Sequence, residues 1–157
     1  MSSEAAPSEQ AAMNGLDEIR AMIARGIKPP MMDLLGLDLA EVSEGRVVFT
    51  GTPSASHYNP LGIVHGGYAA TLLDSACGLA ANSATKVPTA CITLELKVSY
   101  HAPMHDATGK VRAIGTVVSM GRRVAHTEAR LVDENDRIYA SATSTLLLTD
   151  RKQANSG

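Results

Sequence analysis

The chain predicts an α+β domain in which a curved antiparallel β-sheet wraps around one long central helix. Three observations carry this expectation. The stretch Leu61–Ala81 is apolar and long enough to form a buried helix. Cys91–Tyr100 alternates strictly between apolar and polar residues, the period of a half-buried strand. Three further strand-like runs follow in quick succession, and connections that short favour an antiparallel meander.

Taken in order, Asn14 can cap a short helix over Gly15–Arg25, with acidic residues in its first turn and Arg25 in its last. Leu16, Ile19 and Ile23 follow helical spacing, so this helix should lie across the domain. Gly26 stops it, and Pro29-Pro30 precede a second short helix near Met31–Leu35. Leu37–Val42 and Arg46–Pro53 read as a hairpin around Ser43-Glu44-Gly45, with Gly45 supplying the turn. Ser54–Leu61 reads as a loop, and the long helix follows over Gly66–Ser83. Pro88 returns the chain to extended structure. Simple alternation then puts Ile92, Leu94, Leu96, Val98 and Tyr100 on one face of a strand, and Thr93, Glu95, Lys97 and Ser99 on the other. Gly109–Met120, Arg122–Val132 and Arg137–Leu148 complete the strands. The expected organisation is one domain over 14–149 with unpatterned tails at 1–13 and 150–157.

Composition narrows the function classes. The chain has 157 residues, 45% of them hydrophobic, but only one Phe, four Tyr and no Trp, so its core must be aliphatic. A net charge of −2 with no basic run beyond Arg122-Arg123 argues against a nucleic-acid partner. Cys77 and Cys91 are isolated thiols without the spacing of a zinc site or disulfide framework, and a reducing cytoplasm fits them. The first 12 residues lack the pattern of a secretory signal. Asp74, His65 and four glycines within Leu61–Ala81 favour a buried helix over a membrane span.

Asp74 is the one formally charged side chain between Arg46 and Lys86. A carboxylate leaving water without a partner costs several kcal/mol, so its retention in the most apolar helix points to chemistry. Projection at 100° per residue sets Gly67, Ala70, Thr71, Cys77, Gly78 and Ala81 on its side, with Leu72, Ala76 and Leu79 opposite. Gly66 and Gly67 present unobstructed N–H groups at the helix start, where an oxyanion or carbonyl is stabilised. Asp74 lies roughly 12 Å of helix rise beyond Gly66, too far for both to act on one carbonyl. That reach predicts a homodimer, with Asp74 from one subunit and the Gly66 N–H from the other. His65 reads either as a general base or as a brace for the loop before the helix, and Asn59 as a loop residue whose amide can hold a water or substrate oxygen. Cys77 has no base beside it.

Asn59-Pro60-Leu61-Gly62-Ile63-Val64-His65-Gly66-Gly67, followed by Asp74, resembles the hotdog-fold acyl-CoA thioesterases of the phenylacetate-degradation (PaaI-like) type. Thr93–Pro103 (TLELKVSYHAP) and Gly121–Leu131 (GRRVAHTEARL) resemble two strands of the same family. The resemblance spans about Leu35–Leu148. It implies hydrolysis of an aryl- or fatty-acyl-CoA to free acid and CoA, with no cofactor, since CoA belongs to substrate and product. It assigns Asp74 as general base or nucleophile, the Gly66 N–H as the carbonyl polariser, Asn59 to the nucleophilic water and Thr93 as an assistant. Gly67, Tyr100, Pro103, Gly121, Arg122 and Arg123 fall where it expects substrate or CoA contacts. It further implies dimers, often paired into homotetramers. Two alternatives stay open at this point: a hotdog enoyl-CoA hydratase and a non-catalytic acyl-CoA-binding module. Met22, Met31 and Met32 are candidates for a pliable lid over an acyl pocket.

Overall fold

A computed structural model describes residues 12–151; the tail expectations for 1–11 and 152–157 lie outside these residues. The elements are α1 (Gly15–Ala24), α2 (Pro30–Leu35), β1 (Asp38–Ser43), β2 (Arg46–Gly51), α3 (Gly66–Ser83), β3 (Thr89–Tyr100), β4 (Val111–Met120), β5 (Val124–Val132) and β6 (Ile138–Asp150). The expected cap on α1 forms, with the Asn14 side-chain oxygen accepting from the Asp17 N–H at 2.9 Å. The Ser54–Leu61 loop includes a short 3-10 turn over Ala55–His57. No helix of the described residues is long and apolar enough to cross a membrane.

The strands form one six-stranded antiparallel sheet in the order β1-β2-β4-β5-β6-β3, and α3 packs across it from β2 to β3. This is the hotdog arrangement. Only β4, β5 and β6 make a sequential meander. Residues 101–110 carry the chain from β3, at one edge beside β6, back to β4 beside β2.

Two expectations about facing are corrected. In β3 the pairing register shifts between Thr93 and Glu95, so Leu94 is an extra residue against β6. Thr93 therefore turns toward α3, together with Leu96 and Val98 from beyond the bulge, while Ile92 and Leu94 are 41% and 60% exposed on the outside. Uninterrupted alternation had grouped Ile92 and Leu94 with the core-facing set. In α3 the buried stripe is Tyr68, Ala69, Leu72, Leu73, Ala76, Cys77, Ala80 and Ala81. Cys77 and Ala81 thus belong to the core rather than to the Asp74 side, and Leu79 stands half-buried beside Asp74. Small residues dominate this stripe because the helix lies close on the sheet. A Cβ on Gly115 of β4 would come within 2.4 Å of the Ala76 carbonyl oxygen.

Candidate active site

The chain enters α3 through a tightly tied loop. The Asn59 side-chain oxygen accepts from the N–H groups of Leu61 (2.9 Å) and Ile63 (3.4 Å). The His65 N–H donates to the His57 carbonyl at 2.8 Å. The His65 ring then caps the helix, its Nδ1 accepting from the Gly67 N–H at 2.8 Å. That bond commits the Gly67 N–H. Nothing among the described residues accepts from the Gly66 N–H, one of the orphan donors that every helix start leaves. Tyr100, at the end of β3, donates its hydroxyl to the Gly66 carbonyl at 2.8 Å. Its ring occupies the space a side chain at 66 would need, since a Cβ there would meet the Tyr100 hydroxyl oxygen at 2.9 Å.

Two turns further along α3, Asp74 is half-buried and makes no ion pair among the described residues. Its Oδ1 accepts from the Thr93 hydroxyl at 2.9 Å. The β3 bulge is what aims Thr93 at this carboxylate. One turn beyond, Cys77 is fully buried, and burial pushes its thiol up to about 11. At neutral pH it is a protonated core residue, not a nucleophile.

These groups divide between two chambers of one protomer. Asn59, His65, Gly66, Gly67, Tyr100 and Pro103 line the first, of about 520 Å³. Asp74 and Thr93 line the second, of about 510 Å³, roofed by α1 and α2. Gly121, Arg122 and Arg123 form the exposed β4–β5 turn, line neither chamber, and the two arginines have no ion pair among the described residues. Of the methionines considered as a lid, Met22 and Met32 line the Asp74 chamber, whereas Met31 is exposed and outside it. Sequence reasoning did not single out Ile27, Phe49 and Leu79 in that chamber, whereas His101 and Met104 in the other fall within Tyr100–His105, a segment the sequence places beside the pantetheine or nucleotide of the substrate. For Ile27 a signal was present in the glycine that ends the preceding helix.

The family to which this geometry belongs is shown by comparison with known proteins. The family model described as "Thioesterase superfamily" matches residues 61–140, from the loop before α3 into β6. The chain belongs to the thioesterase superfamily. A Halobacterium salinarum protein named "Putative esterase VNG_1336C" is 36% identical over 118 residues, covering 72% of this chain and 76% of that protein. The 1,4-dihydroxy-2-naphthoyl-CoA hydrolase of Listeria monocytogenes is 19% identical over 78% of this chain and 98% of its own length. Among solved structures, a variant of the phenylacetic acid degradation protein PaaI from Thermus thermophilus superposes with a TM-score of 0.68 at 31% identity. That match covers 76% of this chain and 98% of that one. The thioesterase is thus a PaaI-like hotdog protein.

Proposed function

We propose that this thioesterase hydrolyses an aryl- or fatty-acyl-CoA to free acid and CoA at a site shared by two copies of the chain. The observation that carries this reading is the separation of the Asp74–Thr93 pair from the open Gly66 N–H in different chambers of one protomer. Both lie along β3, whose outer edge has no partner strand among the described residues and exposes Ile92, Leu94 and Tyr100. A long apolar edge of this kind is a template for another strand. Two-fold antiparallel pairing of β3 with a second copy, centred between Leu96 and Lys97, brings Thr93 and Asp74 of one subunit toward Tyr100 and Gly66 of the other. The CoA-thioester substrate class is supported by the name of the Listeria monocytogenes hydrolase.

In this reading the thioester oxygen accepts from the Gly66 N–H at the positive end of α3, where developing negative charge is stabilised. Asp74, held by Thr93, takes a proton from the attacking water, or adds to the carbonyl itself to give an anhydride that water hydrolyses, once CoA has left, to the free acid and the restored Asp74 carboxylate. The C–S bond then breaks, and the CoA thiolate leaves and is protonated. The Asn59 NH₂, left over after its oxygen ties the loop, orients the water. His65 is a positioning residue that fixes the helix start. Arg122 and Arg123 supply positive charge for CoA phosphates. No cofactor beyond the CoA of the substrate is required, and the cytoplasm, where acyl-CoA is at hand, is the proposed location.

The test uses thiol release from acyl-CoA by purified protein. Asp74→Asn should lose about 10²–10⁴-fold in kcat, the usual contribution of a general base, while still binding CoA. Gly66→Val should also be inactive, because its side chain displaces Tyr100 and the carbonyl oxygen. Unfolding and refolding the two inactive variants together should restore about a quarter of the parent rate, since half of randomly formed dimers carry one intact site. A mixture that stays as inactive as its components overturns the shared site. Full activity in Asp74→Asn overturns the assignment of Asp74.

A further inference from the structure

We propose that the two helix ends roofing the Asp74 chamber form the acyl-selecting wall, and that the chamber takes an extended apolar acyl group rather than acetyl. The inference rests on Asp74 as the reaction centre, because a group in this chamber must adjoin the carbon that Asp74 serves.

Both helices end in the same way. Gly26 and Gly36 follow α1 and α2 with φ of +65° each, a left-handed conformation that favours glycine. After α1 the Ile27 N–H bonds the Met22 carbonyl and the Gly26 N–H bonds the Ile23 carbonyl. After α2 the Leu37 N–H bonds the Met32 carbonyl and the Gly36 N–H bonds the Asp33 carbonyl. This is the Schellman closure, which commonly brings the residue after the glycine against the one five positions earlier. The two pairs it selects here are Met22 with Ile27 and Met32 with Leu37, and all four residues line the Asp74 chamber. Two unrelated helix ends thus set Met22, Ile27 and Met32 around one space, with the fully buried Leu37 packed behind them in the core.

The rest of the lining agrees. Besides Asp74 the charged residues are Lys28 and Asp38, which pair with each other at 2.9 Å and tie the turn between α1 and α2 to the start of β1. Phe49 and Leu79 face the roof from β2 and α3. The volume of about 510 Å³ lies within the range of sites that enclose a sizeable apolar ligand. Acetyl would leave most of it unfilled. Ile27 is 46% exposed at the lip, and Gly78 lines the opposite wall with nothing closer to an added Cβ than Leu146 at 3.8 Å. Ile27 can therefore be enlarged from the lip, and an added Cβ at Gly78 meets only ordinary contact, so bulk at either position narrows the chamber from one side.

The experiment measures kcat/KM of the full chain across saturated acyl-CoAs from acetyl to dodecanoyl. A rise of about fourfold per methylene until the chamber fills is expected, equivalent to ~0.8 kcal/mol for each buried CH₂. Ile27→Trp and Gly78→Leu should each cut the octanoyl-to-butyryl ratio by about tenfold or more. A ratio unchanged in both variants, or a series that is flat from acetyl upward, overturns the proposal. Calorimetry supplies a readout independent of turnover. Octanoyl-CoA should bind Asp74→Asn more tightly than CoA does, and adding Ile27→Trp should remove most of that increment. If Asp74→Asn still hydrolyses acyl-CoA, the catalytic reading fails and the chain-length series with Ile27→Trp still decides the chamber. If hydrolysis depends on Asp74 but neither rate nor binding depends on chain length, only the acyl wall fails.

Discussion

The bond from the Thr93 hydroxyl to Asp74 Oδ1, 2.9 Å long, concentrates much of the site's precision in one contact. Hydrogen bonds to a charged group contribute about 1.5–3 kcal/mol. Thr93→Val should therefore lower kcat roughly 10- to 100-fold if the carboxylate must be held in place through the transition state. Thr93→Ser keeps the hydroxyl and should recover most of the rate. Equal loss in both variants would mean that Thr93 acts through packing of its methyl group. The sequence supplied Thr93 only by family resemblance, because its position in a plain alternating strand pointed it away from the helix. His65 shows the opposite relation. Its place before two glycines invited a catalytic role, yet its Nδ1 is committed to the Gly67 N–H.

At the scale of elements, the distance between α3 and the sheet is set by two kinds of small residue. Gly115 lets β4 approach the Ala76 carbonyl, where an added Cβ would sit at 2.4 Å. Gly78 faces the chamber and has ordinary space beside it. The same substitution should thus have opposite effects. Gly115→Ala should destabilise by about 1–3 kcal/mol through overpacking, several degrees of Tm in a chain of this length. Gly78→Ala should stabilise by about 1 kcal/mol, since Gly is the poorer helix former. Thermal unfolding of the pair checks both signs, and a loss of stability at Gly78 would show that α3 cannot accept bulk on its open side.

For the whole molecule, acid stability is tied to the β5–β6 turn. Asp133 is 9% exposed. Burial alone would raise its carboxyl, but that effect is outweighed by N–H donors from Arg137 and Asn135, the Tyr139 hydroxyl and the Arg137 charge, which hold it below its ordinary value of 3.8. A depressed carboxyl stabilises the fold fully above its unfolded value, and that contribution fades as pH falls through the folded one. Asp133→Asn should lower Tm at neutral pH and flatten the decline of Tm below about pH 4. An acid limb as steep as the parent's would place the sensitivity at other carboxylates. Assembly belongs to the same scale, because the outer β3 edge is where a second copy has to complete the proposed site.

The sequence by itself determined the α3 boundaries, the strand runs, the aliphatic core and the odd placement of Asp74. Each depends on local period, caps or composition, which a chain displays residue by residue. Tertiary structure alone decided that Leu94 bulges, that β3 pairs with β6, and that Asp74 and Gly66 face separate chambers. A period-two pattern carries no mark of where one extra residue enters, because both halves of the strand still alternate. Only pairing with Leu146 and Thr145 of β6 shows the slip. The two glycine-ended helices were legible as local stops, but their convergence over one carboxylate depends on contacts between segments far apart in the chain.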